Sequence, residues 1–270
     1  MHSLRNIELR VPRTPVLILD LLMARDAPLS ANAICRVGEL MGISQATMRV
    51  GLTRLVTDGK IQRSQRGLYS LARDVRALHR TVDQWQNKHA LAVAWRERDW
   101  IAVYDGNLSK SDRAVRRRHA LSLALFGIKE LRPGLHVRPN NLKGGIAVQS
   151  RRLRELGMAR SAIVFKASAF EQQDQSQAMH LWDIEQLIRT DDAFIAALEQ
   201  STAALPHLPL GAAAKESLLL GRAVIAHLVR DPVLPIEMMP RTSRDKLLLL
   251  ATQYQREARN LWSQWFEEAR

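Results

Sequence analysis

The chain of 270 residues is predicted to be mainly α, with an α+β stretch in its middle. Three observations predict this class. Apolar residues recur at helical spacing up to residue 57 and again beyond residue 181, short apolar runs alternate with helical patterns between residues 100 and 166, and Gly, Pro or Asp-Gly signals separate the segments. With 46% hydrophobic residues, the chain is long enough for a buried core and for two or three domains of roughly 100 to 200 residues.

Pro12 to Arg25 reads as a first helix, with proline near its start and Val16, Leu19, Leu22 and Met23 at helical spacing. Ser30 is a natural cap for a second helix, Ala31 to Met41, with Ile34, Val37, Leu40 and Met41 on one side and Gly42 as its stop. Ser44 caps a third helix running to about Thr57, closed by Asp58-Gly59, with core positions Met48, Leu52, Leu55 and Val56. A strand at Lys60 to Arg63, a turn at Gln65 to Gly67 and a strand at Leu68 to Leu71 follow. Three helices with a short turn between the second and third, and then a hairpin, make up the winged helix-turn-helix arrangement.

From Asp74 to His89 the pattern is helical and more polar, which suits a connecting helix. Trp100 to Tyr104 is a short apolar strand, followed by a helix from Ser109 to about Phe126, a strand at Leu135 to Arg138, a helix near Ile146 to Leu156 and a strand at Ser161 to Lys166. This alternation suggests a small α+β unit of the split βαβ kind. Beyond Leu181 the chain reads helical over Trp182 to Ala204, Ala212 to Val229 and Ser243 to about Glu268. The last of these carries Leu247, Ala251, Tyr254, Ala258, Leu261 and Trp265 in a three-four alternation that suits a dimer seam or packing within the chain.

The net charge of +13 is unevenly placed. Residues 1 to 75 carry 11 Lys and Arg against 6 Asp and Glu, residues 76 to 170 carry 19 against 7, and residues 171 to 270 carry 10 against 14. So basic a middle third favours nucleic acid or a phosphate-rich ligand. The lone Cys35 rules out an internal disulfide, and no apolar run approaches the roughly 20 residues that span a bilayer, so a cytoplasmic protein without a membrane partner is expected. GxSxG, P-loop, HExxH and Cys-His metal spacings are all missing, so the expectation is a non-enzyme without cofactor, metal or catalytic residues.

Two groups of residues are candidates for function. The N-terminal turns of the third helix offer Gln45, Thr47 and Arg49 to base edges, with Thr53 beyond them, while Arg54, Arg63 and Arg66 suit the phosphate backbone of double-stranded DNA. Arg113, Arg116, Arg117 and Arg118 on the helix after Ser109, with Arg138, Asn141 and Lys143 ahead of Gly144-Gly145, are candidates for an anionic effector. Arg118 falls near the centre of that helix's apolar side, which requires an anionic partner such as Asp105 or Asp99. A rival reading makes Asp105 one acid of a metal-dependent nuclease. A further rival is a DNA-binding protein with no effector.

Three separated stretches, SQATMRVGLTRLVTDGKIQRSQRGLYSL, FGIKELRPGLHVRPNNLKGG and RDPVLPIEMMP, resemble in this order the PaaX family of bacterial transcriptional repressors. The resemblance implies a winged helix-turn-helix domain over residues 1 to 73, a connecting helix over 74 to 92, a central ferredoxin-like (Cas2-like) domain over 93 to 170 and a helical C-terminal domain over 171 to 270. It also implies a homodimer that binds a palindromic operator of a catabolic operon and is released by an aromatic acyl-CoA thioester or a related intermediate. Pro240-Arg241-Thr242-Ser243 departs from the family, which often has tryptophan there.

Overall fold

The computed structural model describes residues 9–25, 27–64, 66–73, 75, 85–109 and 111–268. Most of the expected connecting helix, residues 74–89, lies outside the described residues. The fold is mixed α+β with two antiparallel sheets. The chain divides into two compact units, one comprising Met1–Asp83, Ala193–Ile225 and Leu247–Arg270, the other Gln84–Asp192 and Ala226–Lys246. The segment 171–270, expected as a helical domain of its own, is thereby shared between the two.

The first unit is built on α1 (Thr14–Arg25), α2 (Ala31–Leu40) and α3 (Gln45–Thr57). Ser30 caps α2 by accepting from the Ala33 amide at 3.2 Å, and Ser44 caps α3 by accepting from the Thr47 amide at 3.3 Å, as the serines predict. Both helices close in a Schellman motif. The Ile43 amide donates to the Gly38 carbonyl and the Lys60 amide to the Leu55 carbonyl, with Gly42 and Gly59 supplying the positive φ that the motif needs. The core joins Leu17, Ile18, Leu21 and Leu22 of α1 to Ile34 and Val37 of α2 and to Met48, Leu52 and Leu55 of α3. Val16 and Val56, expected inside, are exposed: the buried stripe of α1 lies one step round from the predicted one, whereas that of α3 runs through Met48, Leu52 and Leu55 as expected and leaves Val56 at its edge.

Strands β2 (Ile61–Arg63) and β3 (Leu68–Leu71) form the expected hairpin, with Arg63 opposite Tyr69. A two-residue strand not foreseen from the sequence, β1 (Leu29–Ser30), pairs with β3 and makes the order β1-β3-β2. Leu218, Leu219, Trp262, Trp265 and Phe266 pack against the same core, so the amphipathic C-terminal helix spends its apolar stripe within this unit.

The second unit runs β4 (Asp99–Tyr104), α4 (Arg113–Leu125), β5 (Lys129–Arg132), β6 (Leu135–Pro139), α5 (Gly145–Glu155), β7 (Ile163–Ser168). The sheet order is β5-β6-β4-β7, all antiparallel. β5 was not expected. Its sequence Lys-Glu-Leu-Arg is polar except for Leu131, and a bulge between Glu130 and Arg132 breaks its alternation. The apolar run of β4 is explained by cover on both faces: Val103 packs with Leu123 and Leu153 of α4 and α5, and Trp100 and Ala102 pack with Ala178, Trp182 and Leu234. Ala178 lies on α6 (Gln172–Met179), and α7 (Ile184–Ala204), α8 (Leu210–Arg230) and α9 (Thr242–Glu268) complete the chain.

A knot of buried charge ties this unit together. The Lys88 ammonium donates to the carbonyls of Leu125 at 3.1 Å, Val229 at 2.8 Å and Asp231 at 2.5 Å, so it satisfies acceptors left over at the C-terminal ends of α4 and α8. The Asp231 carboxylate accepts from the Val233 amide at 2.6 Å and lies 3.8 Å from Arg244 and 3.6 Å from His89. Burial pushes Lys88 down to about 8 and His89 down to about 4, with Asp231 opposing both shifts.

Two outcomes are expected. A Cβ on Gly38 of α2 would lie 2.3 Å from Met48 Cγ, whereas one on Gly221 of α8 would approach nothing closer than Tyr254 at 3.9 Å. In thermal melts Gly38→Ala therefore loses about 1–2 kcal/mol to overpacking, and Gly221→Ala gains about 0.5–1 kcal/mol of helix propensity. His89 titrates near 6.5 when unfolded and near 4 when folded, so the unfolded chain binds the extra proton in that interval. Its contribution, up to about 3 kcal/mol, is complete above pH 6.5 and lost as pH falls through about 4. Urea melts of His89→Gln show a shallower acid limb than the unsubstituted protein.

Candidate nucleic-acid interface

The positions opposite the buried stripe of α3 are Ala46, Val50, Thr53 and Thr57, which fall within about 60° of one another at 100° per residue. Arg49 flanks them on one side, and Thr47 and Arg54 on the other. Two of the residues expected to meet bases are already engaged. Gln45 donates from Nε2 to Glu39 at 2.7 Å, and the Thr47 hydroxyl lies 2.9 Å from Ser44 Oγ within the helix cap. Thr53 donates its hydroxyl to the Arg49 carbonyl at 3.1 Å. The Arg49 guanidinium is exposed and meets no hydrogen-bond or ion-pair partner among the described residues.

The remaining cations lie on this helix and on the hairpin that follows it. Arg54 lies 4.0 Å from Asp58 with both side chains solvated, a geometry that contributes little to stability. Arg63 stands over the Tyr69 ring at 5.9 Å, and Arg66 is exposed at the hairpin turn, where Gly67 takes φ 72°. From Gln45 to Arg73 the chain carries six Lys and Arg and one acid, Asp58. Cys35 lies behind this surface. Its thiol donates to the Gln45 carbonyl at 3.9 Å, and burial pushes the thiol pKa up, which keeps it protonated and unreactive.

The second candidate group does not stay together. Arg113, Arg116 and Arg117 line a cleft of about 390 Å³ with Asp105, Leu108, His119 and Ala120. Arg118 is exposed beside Gly157 and is not the buried cation of the apolar side. The buried residues of α4 are His119, Ser122 and Leu123, one step round from the predicted stripe, and His119 takes the partner foreseen for Arg118. Its Nε2 lies 2.9 Å from Asp105, while its Nδ1 accepts from the Ala159 amide at 3.2 Å, which places the proton on Nε2. His136 Nε2 stands 3.1 Å from the same carboxylate oxygen without the alignment of a hydrogen bond. Asp99 instead pairs with Lys166 at 3.1 Å.

Arg138 and Asn141 are internal braces. Arg138 is 1% exposed and donates to the Pro139 and Phe126 carbonyls and to Asn141 Oδ1, and Asn141 donates on to the Val233 carbonyl at 2.8 Å. Burial pushes the Arg138 guanidinium down to about 10. Both side chains are buried and turned toward acceptors inside the unit. Lys143 is exposed, and Gly144 opens α5 in the left-handed region with no side-chain cap. Asp105 is met by two imidazoles rather than by a second acid, and among the described residues no three His, Cys, Asp or Glu side chains are grouped as metal ligands. No described helix is long and apolar enough to cross a membrane.

No family model matches the chain, and no curated protein does. Among solved structures it is similar to the uncharacterized protein Rv0674 from Mycobacterium tuberculosis, at 21% identity over 92% of this chain and 97% of that one, with a TM-score of 0.57. At that identity the likeness concerns the fold alone.

The burial contrast among the arginines is open to measurement. Arg138→Met strands two carbonyls and Asn141 and costs about 3 kcal/mol in chemical denaturation, while Arg113→Ala and Arg117→Ala each stay within about 0.5 kcal/mol.

Proposed function

We propose that this chain is a ligand-responsive transcriptional repressor of the PaaX type, which binds duplex operator DNA as a homodimer and is released by an anionic effector. The observation that carries the reading is the solvent side of α3, where Arg49 is exposed, in a stretch from Gln45 to Arg73 that also carries Arg54, Arg63 and Arg66 and a single acid, Asp58. In this reading α1 to α3 and the β2–β3 hairpin act as a winged helix. α3 enters the major groove by its N-terminal turns, and Arg63 and Arg66 of the wing hold phosphates. Two such helices in a dimer meet successive grooves about 34 to 36 Å apart.

The order β5-β6-β4-β7 with two crossover helices supports reading the second unit as ferredoxin-like. Its cleft beside Arg113, Arg116 and Arg117 suits a phosphate-bearing compound such as an acyl-CoA thioester. Release then requires that the effector bind the DNA-free state more tightly than the DNA-bound one. Arg138 and Asn141 have no part in this site.

The test is an anisotropy titration against duplexes from the protein's own upstream region and against random duplexes, across salt and with a panel of acyl-CoA thioesters. The reading expects selective binding relieved by one compound. Arg49→Ala costs about 1–3 kcal/mol on the selected duplex and relaxes selectivity, whereas Arg66→Ala weakens binding to every duplex and lowers the salt slope by about 1. Equal affinity for promoter and random DNA at every salt concentration overturns it.

A further inference from the structure

We infer that Val50 is a specificity determinant that reads the 5-methyl group of thymine in the major groove. The inference rests on the DNA-binding reading and goes beyond it by naming the base and the atom recognised. Val50 is 68% exposed, and no large hydrophobic side chain among those described is more so. A single exposed valine would need no explanation on an arbitrary surface. This one sits at the middle of the outward ridge of α3, in a helix interior where a β-branched residue is a poorer choice than alanine or a charged residue.

Its neighbours sharpen the point. Ala46, one turn before it, offers a methyl group, and Thr53, one turn after it, has committed its hydroxyl to the Arg49 carbonyl. The ridge that reaches deepest into a groove thus presents carbon, and the hydrogen-bonding residues Gln45 and Thr47 are turned to the flanks and occupied. In the major groove only thymine offers an apolar group among the base edges, so a carbon ridge between cations matches a T-containing site. Arg49 and Arg54 flank the ridge and Arg63 and Arg66 lie on the hairpin that follows the helix, and this basic stretch makes duplex DNA its occupant through charge complementarity.

The test first selects the preferred sites of the full chain from a pool of randomised duplexes. The best duplex is then synthesised with each thymine replaced singly by deoxyuridine, which removes the methyl and leaves the pairing edge intact. The unsubstituted protein is expected to lose about fourfold in affinity at one or two positions of each half-site, the effect of one buried methyl. Val50→Ala is expected to bind thymine and deoxyuridine duplexes equally, while Arg49→Ala binds both more weakly but keeps their ratio. Val50→Ala leaves the fold intact by circular dichroism, because the side chain is exposed and alanine is the better helix former. A selected site indifferent to deoxyuridine everywhere, or a Val50→Ala variant as sensitive as the parent, overturns the inference and leaves the DNA-binding reading standing. A pool from which nothing is enriched overturns both.

Discussion

The second unit depends on a single buried ammonium. Lys88 reaches acceptors 37, 141 and 143 residues further along the chain, and the carboxylate of Asp231 at the far end of that reach holds Arg244 and faces His89. A charge buried alone costs several kcal/mol, so each member of the knot is tolerable only while the others are in place. The adjoining brace from Arg138 through Asn141 to the Val233 carbonyl adds a second tie to the same loop. This is the physical reason why Ala226–Lys246 belongs with the sheet and not with the helices on either side of it in sequence. A division of the chain by periodicity groups the helices together, but the division of the molecule follows the buried polar groups.

The local structure of the first unit was legible because its signals are local. Ser30 and Ser44 are caps, Gly42 and Gly59 are stops, and Arg66-Gly67 marks a turn, each acting through atoms a few residues away. Helix phase was less legible. The thirteen residues of α4 mix three consecutive arginines with a histidine, and their periodicity centres the apolar side on Arg118, whereas the buried imidazole of His119 lies only 100° away. A histidine satisfied at both nitrogens is as inert a core residue as many apolar ones, but its partners, Asp105 and the Ala159 amide, are remote in sequence.

The candidate interface was half legible for a related reason. Residue type pointed to Gln45, Thr47 and Arg49 as readers of bases, since these are the side chains with donors and acceptors. Geometry separates them: Glu39 and Ser44 engage the first two, and both contacts depend on where the turn between α2 and α3 places its neighbours. That turn is fixed by the close approach of Gly38 to Met48, where a glycine in one helix admits a methionine from the next. The same reasoning divides the seven candidates in the middle of the chain. Arg113, Arg116 and Arg117 face a cleft, whereas Arg138 and Asn141 have become framework.

The interleaving of the two units along the chain also governs how the protein leaves the ribosome. The core of α1, α2 and α3 is covered in part by Trp262, Trp265 and Phe266, and the sheet of the other unit waits for Asp231 and Arg244. Neither unit can close while only the first two hundred or so residues are exposed, so vectorial, domain-by-domain folding is denied to this chain. At roughly 5–20 residues per second of synthesis, three formed helices and an unfinished sheet persist for seconds with apolar surface uncovered. Contacts of such sequence separation also slow the final closure.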